Sequence, residues 1–442
     1  MFPKSLLKIL EKNPLDGFIK EIEVSGWVKA TRSGKFVKIS DGSSLETLQL
    51  VFSAELASQA KAIKLGSYLV VKGQLESTPE REQSQELKVS QICFQSSPSH
   101  DYPLQKKKLP LEVVRNYPHL RAKTNYFLSV FRLRHSISQA LHDFLDQEGF
   151  YHIPTPLITS NDSEGAGATF NLTTQDKKLF FTKPAQLTVS GQLHAEALAQ
   201  GLGRVYTFAP CFRAEKSHTT RHLAEFWMVE VEIAPTDLKS LIKLTERLIK
   251  FLISTVLKKN LPELEYLENY HQKEIINPLK KVEKKEFIQL EYTQAIEILK
   301  NSKQKFVFSH LKWGIDLKAE HEKYLGQYFD NLPIFILNYP KEIKAFYMKN
   351  NPDKKTVASF DLLFPEIGEL IGGSIRESDY QILKEKAQKV GDLTWYLDLR
   401  QSGYAPSGGF GLGLERLIMF LGGIENIQDT IAFPLFHHHL KF

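Results

Sequence analysis

Residues 223–232, LAEFWMVEVE, alternate as only an extended strand can use, yet this apolar run carries three carboxylates. With a period of two, Leu223, Glu225, Trp227, Val229 and Val231 share one face, and Ala224, Phe226, Met228, Glu230 and Glu232 share the other. Burying a charge is costly unless it is paired, so these carboxylates restrict the folds available. The preceding segment, FRAEKSHTTRH, adds Arg213, Glu215, Arg221 and His222, with Arg213 and Glu215 expected on one strand face. Either this is a solvated charged hairpin, or it lines a site for a charged ligand. An Arg for phosphate, an aromatic for stacking on a base and a Glu for an ammonium suit a nucleoside triphosphate and a zwitterion.

A chain of 442 residues, 42% of them hydrophobic, is long enough for two domains. The formal net charge of +6 is compatible with a nucleic-acid partner and too small to establish one. Cys93 and Cys211 offer no disulfide framework and no CxxC metal knuckle. No window approaches the ~18 apolar residues of a membrane span. The amphipathic start, MFPKSLLKILEKNP, does not resemble a secretory signal. A soluble cytoplasmic protein without a membrane partner is expected.

Short alternating runs between 18 and 96, separated by Gly, Ser and Asp turns and interrupted by the helical SAELASQAKAI, predict a five-stranded OB barrel. This gives an N-terminal domain over 1–102 and a Pro-, Ser- and Lys-rich hinge over 103–125. The remainder, 126–442, opens on a long helix ending at Gly149. It continues as helices mixed with strands (AFYMKN among the strands) and lacks a βαβαβ rhythm, so an α+β domain with an antiparallel sheet flanked by helices is expected.

Two further stretches favour a site over a surface hairpin. GGFGLGLERL (408–417) places glycines where backbone approaches something closely, then Arg416 in the first turn of a helix. FDLLFPEIGELIGGSIRE (360–377) carries Asp361 and Glu369, hard oxygen ligands suited to Mg²⁺ on a nucleotide, followed by Arg376.

Together, FRAEKSHTTRHLAEFWMVEVE, GELIGGSIRE and GFGLGLERL resemble the signature motifs of the class II aminoacyl-tRNA synthetases, in the subgroup serving aspartate, asparagine and lysine. Supporting segments include VSGWVKATRSGKFVKISDG, ITSNDSEGAGATF, LTVSGQLHAE and WGIDLKAEHEKYL. The resemblance implies ATP-dependent ligation of an amino acid to tRNA through an aminoacyl-adenylate. It implies a homodimer with Pro156 at the interface. By position, Arg213 bridges the α-phosphate and the amino-acid carboxylate, Glu215 sits beside ATP, and Arg221 and His222 hold the outer phosphates. Phe226 stacks under adenine, Arg416 caps it or meets the γ-phosphate, and Gly413 and Glu415 complete the ATP site. Arg213, Glu369 and Arg416 form the catalytic set, Glu369 with Asp361 holds Mg²⁺, and Glu164 and Gln192 hold the amino acid. Phe36, Gln49 and Arg32 match barrel positions that contact anticodon bases.

Within this subgroup, aspartyl enzymes place a lysine in a QxxK turn, and here the turn reads Gln192-Leu193-His194-Ala195. The absent cation favours L-asparagine and tRNA(Asn) over the aspartyl alternative. Arg376 is expected to donate to the side-chain amide, and Glu230 to accept from it while repelling a second carboxylate. The chain departs from the family at Ser407, where a histidine is common, and at Leu435, where an arginine is common. The run His437–His439 is expected to be a solvated tail.

Overall fold

The computed structural model describes Leu6 and residues 21–78, 85–99, 101–105, 109–161, 168–176, 178–217, 219–388, 390 and 392–440. The chain divides into two compact units, 1–131 and 132–442.

In the first unit, β1 (Glu21–Arg32), β2 (Phe36–Ser40), β3 (Leu48–Phe52), β4 (Tyr68–Ser77) and β5 (Gln85–Ser96) close into a barrel of order β1-β2-β3-β5-β4. Alternation sends Val24, Val28, Val37, Ile39, Leu48, Leu50, Leu69 and Leu87 inward as its core. The short helix α1 (Ala57–Lys61) contributes Ala60 to that core. The same alternation turns Phe36 and Lys38 outward beside Val51 and Gln49 of the neighbouring strand. The helix α2 (Asn125–Gln147) follows, and the boundary between the units falls within it.

The second unit is built on an eight-stranded sheet. Its strands are β6 (Tyr151–His152), β10 (Arg204–Phe212), β11 (Glu225–Ile233), β12 (Ile288–Glu291), β13 (Ile334–Leu337), β14 (Ser359–Phe364), β15 (Gly368–Ile375) and β16 (Gly408–Gly413). Their order is β12-β13-β14-β15-β16-β11-β10-β6. A small separate sheet joins β7 (Ile158–Thr159), β8 (Asn171–Leu172) and β9 (Ala185–Leu187). The expected antiparallel sheet holds for the five central pairings and is corrected at two others, because β10 pairs with β6 and β12 with β13 in parallel. Both exceptions lie at the sheet's ends. There the partner strands return through helix-bearing connections, which parallel pairing requires. The expected strand at 345–350 is likewise corrected. That segment is irregular and meets the sheet only through the isolated bridges Met348↔Arg376 and Asn350↔Val357.

Helices α3 (Gln192–Leu202), α4 (Leu238–Lys259), α5 (Ala319–Tyr328) and α6 (Leu414–Gly422) pack on the sheet. Asp237 caps α4 by accepting from the Ser240 N–H at 2.8 Å. Its Leu241, Leu248, Leu252 and Val256, at helical spacings of seven, four and four residues, are buried on the face that meets β15 and β16. Among the described residues no helix is long and apolar enough to cross a membrane.

Candidate functional site

The central strands β11, β15 and β16 carry one pocket between them. Glycines make its floor possible. A Cβ on Gly409 would lie 2.0 Å from the Val231 carbonyl oxygen, so only glycine lets β16 run this close to β11. Arg213, Glu215, Arg221, His222, Phe226, Glu369, Gly413, Glu415 and Arg416 all line this pocket, with Met228, Leu370 and Gly372.

Phe226 offers its ring to the pocket, and the Arg213 guanidinium carbon lies 5.1 Å from the ring centroid. Arg213 and Glu215 do not share a strand face, because β10 ends at Phe212 and both stand in the irregular segment beyond it. The Arg213 N–H is instead anchored to the Ala224 carbonyl at 3.0 Å. His222 Nε2 lies 3.7 Å from Glu215, and its Nδ1 meets the hydroxyls of Ser217 at 3.1 Å and Thr219 at 2.5 Å. Burial pushes the His222 pKa down, Glu215 opposes, and Arg416, Arg213 and Arg221 reinforce. Arg221 donates to the Glu366 carbonyl at 2.5 Å and Arg416 to the Glu369 carbonyl at 2.7 Å. These backbone bonds aim both cations and, among the described residues, leave most of their N–H groups open.

Glu415 faces differently. Its carboxylate accepts from Arg134 at 2.8 Å and from the Trp227 N–H at 2.9 Å, so it is taken up in bracing β11. Burial still pushes its pKa up, with Arg134 opposing most strongly.

Glu369 is exposed within the pocket. A Cβ built on Gly372 would meet Glu369 Oε1 at 2.9 Å and Asp361 Oδ1 at 3.7 Å, so the two carboxylates converge on one place. Asp361 gives its other oxygen to Lys344 at 2.5 Å. Burial raises its pKa, Lys344 lowers it and Glu369 raises it further. A third carboxylate, Glu322 of α5, was not singled out from the sequence. Burial, then Glu369 and Asp361, push it up to about 7, while Arg416 and Arg221 pull it back. Like charges gathered here fit a site completed by a cation. No group of three metal-binding side chains stands together among the described residues, so the remaining ligands would come from phosphate and water.

Beside this pocket, at the start of α3, the second half of the site is buried. Glu230 is 3% exposed; it accepts from the Ser190 hydroxyl and, at 2.8 Å, from the Gly191 N–H. Burial raises its pKa against those two bonds and against Arg213 and Arg376. Arg376 grips Glu232 through two N–H groups and donates to Ser374 Oγ at 2.6 Å. Glu232, unassigned from the sequence, is therefore the partner that holds the Arg376 guanidinium charged and in place. Among the described residues, two of the five guanidinium N–H groups have no hydrogen-bond partner. Gln192 begins α3, and Ala195, fully buried, puts no cation into this part of the pocket. Glu164 lies outside the described residues.

The two departures from the family pattern take part in the structure. Ser407 is buried and bonds the Tyr404 hydroxyl, and the Leu435 carbonyl accepts from the Ala224 N–H at 2.7 Å beside Arg213. The 437–439 run is a tight turn rather than an extended tail, with Phe436 and His439 stacked at 4.3 Å. On the barrel, Phe36 is half-buried, Arg32 is exposed, and Gln49 donates to Glu86 at 2.5 Å.

Residues 110–437 match a family model described as tRNA synthetases class II (D, K and N), and 22–92 match one described as OB-fold nucleic acid binding domain. An asparagine--tRNA ligase of Mycoplasma genitalium is 46% identical over 96% of this chain and 96% of its own length. That of Mycoplasma mycoides is 45% identical over 96% of this chain and 97% of its own. The crystal structure of asparaginyl-tRNA synthetase from Pyrococcus horikoshii complexed with asparaginyl-adenylate superposes with a TM-score of 0.88 at 31% identity. It covers 100% of this chain and 99% of that one. Glycine-floored sheet, paired arginines, converging carboxylates and near end-to-end similarity agree: the chain belongs to the class II tRNA synthetases of the aspartate, lysine and asparagine group.

Proposed function

We propose that the protein ligates L-asparagine to tRNA(Asn), using ATP and passing through an asparaginyl-adenylate. The observation that carries this reading is the pairing of an Arg- and Phe-lined pocket with a buried carboxylate and guanidinium, Glu230 and Arg376, beside it. Near full-length similarity to asparagine--tRNA ligases supports it.

In the first step the asparagine carboxylate attacks the α-phosphorus of ATP and pyrophosphate leaves. Arg213 stands at the junction of the two halves and draws carboxylate and α-phosphate together, so orientation and charge stabilisation replace a side-chain nucleophile. Phe226 and Arg416 sandwich or flank the adenine and phosphates, and Arg221 with His222 receives the outer phosphates. Glu369 and Asp361 would hold Mg²⁺, which when bound neutralises phosphate charge. In the second step the 3′-terminal ribose hydroxyl of tRNA attacks the adenylate carbonyl and AMP leaves. Glu230 accepts from the asparagine amide and Arg376 donates to its oxygen. An aspartate carboxylate would oppose Glu230 and find no lysine at Ala195 to offset it.

The barrel of 1–102 holds the anticodon through Phe36, Arg32 and Gln49, with 103–125 as hinge to 126–442. The exposed Tyr151, Leu157 and Ile158 around Pro156 suit a homodimer interface, and the reaction belongs in the cytoplasm with its tRNA. The test is charging of a tRNA(Asn) transcript with labelled asparagine. Product that forms with asparagine and not aspartate is expected, and charging of tRNA(Asp) with aspartate would replace this reading with the aspartyl one.

A further inference from the structure

Gln192 is 6% exposed, and its Oε1 has no hydrogen-bond partner among the described residues. Its Nε2 donates to Glu196 Oε2 at 3.3 Å, one turn along α3. Glu196 is itself fully buried and tightly held. Its Oε1 accepts from Arg400 at 2.6 Å and from the Tyr404 hydroxyl at 2.8 Å, and its Oε2 accepts from the Tyr396 hydroxyl at 2.5 Å.

An ionised carboxylate only accepts, so the Gln192 amide can face Glu196 only through its NH₂. A turned amide would set two acceptors against each other in a buried site. Glu196 therefore dictates which end of the Gln192 amide is presented away from it. The presented end is a bare carbonyl oxygen, buried and in need of a donor. Glu230 sits at the same helix start, bonded to Ser190 and Gly191 immediately before Gln192. The unpartnered Gln192 oxygen calls for a donor, and the α-ammonium of an amino acid is one.

We infer that Glu196 is a positioning residue that locks the polarity of Gln192, so that Gln192 Oε1 receives the α-ammonium of the amino-acid substrate. This rests on reading the pocket as an amino-acid site. The Tyr404 hydroxyl joins the lock to Ser407 at the entry to β16. Where the family commonly has a histidine, a serine plus this tyrosine hydroxyl completes the chain of bonds.

The test compares asparagine with succinamic acid, its analogue lacking the α-amino group, by calorimetry and as substrate and inhibitor of pyrophosphate exchange. Glu196→Gln, whose amide can present either end to Gln192, is expected to weaken asparagine about 10- to 100-fold, the range of a hydrogen bond to a charge. The KM for ATP and the affinity for succinamic acid stay unchanged. In a Gln192→Met background the same substitution adds nothing, because Glu196 acts through Gln192. Equal weakening of asparagine and succinamic acid, or additive losses in the double variant, would overturn the lock and leave Glu196 a fold residue. Glu196→Gln leaves Arg400 without its carboxylate, so Tyr396→Phe is measured alongside it as a variant that keeps the ion pair. It is expected to weaken asparagine alone by about 2- to 5-fold, the lower end of one neutral hydrogen bond. No loss, or a loss shared with succinamic acid, counts against the lock. If the unmodified protein takes aspartate and not asparagine, the substrate reading fails. The lock is then tested by aspartate against succinate, which differ by the same ammonium.

Discussion

Glu230 carries the largest share of the specificity argument on one side chain. It is buried, its two protein donors come from the turn before α3, and two guanidiniums lie within electrostatic reach. Glu230→Gln removes the charge while keeping the shape, and we expect kcat/KM for asparagine to fall about 10- to 100-fold in pyrophosphate exchange. Discrimination against aspartate should shrink with it; unchanged values for both amino acids would remove Glu230 from the pocket chemistry. Glu322 makes a separate prediction about pH. Its carboxyl is raised from 4.5 to about 7 in the folded chain without nucleotide. Between those values the unfolded chain has released a proton that the folded chain keeps, so this residue's contribution to stability declines as pH rises through that window. Thermal unfolding from pH 5 to 7.5 should show that decline, and Glu322→Gln should flatten it; an unaltered profile would show that Glu322 ionises normally.

Strand β11 was legible because alternation is a local property. Phe226, Met228 and Glu230 do share the pocket side, as the period of two requires. Legibility ended where the strand ended. Arg213 and Glu215 stand beyond β10, so parity no longer applied to them, and their placement depends on loop bonds such as Arg213 N–H to Ala224. Pairings over long separations were also hidden. Glu232 meets Arg376 across 144 positions, and Glu415 reaches Arg134 across 281, distances at which no spacing rule operates. The parallel strands at the sheet's ends and the irregular 345–350 segment escaped for the same reason, since pairing partners are set by packing. The glycine strand β16 is the opposite case. Its residues announced close approach, and a Cβ added at Gly409 would lie 2.0 Å from the Val231 carbonyl oxygen. Gly409→Ala should cost about 1–3 kcal/mol as an overpacking change, read as a lower unfolding midpoint with reduced exchange activity. A variant as stable and active as the parent would show that β11 and β16 are less closely opposed.

At the scale of the molecule, the proposed function assigns tRNA recognition to the first unit and chemistry to the second. Family motifs made the division readable, whereas from composition alone Phe36 would have passed for a core residue. In the barrel its neighbours Val37 and Ile39 take the core and Phe36 faces outward. Phe36→Ala should therefore raise the KM for tRNA(Asn) about 5- to 100-fold, the worth of one stacked base, and leave tRNA-free amino-acid activation unchanged. Loss of both activities together would mean that Phe36 supports the barrel rather than the anticodon. The central claim is that the pocket over β11, β15 and β16 activates asparagine. Its most direct test is amino-acid-dependent ATP–pyrophosphate exchange by the purified protein, without tRNA, with asparagine and aspartate in parallel. Exchange dependent on asparagine and not supported by aspartate is the predicted result. Exchange with aspartate alone, or with neither amino acid, would contradict the account.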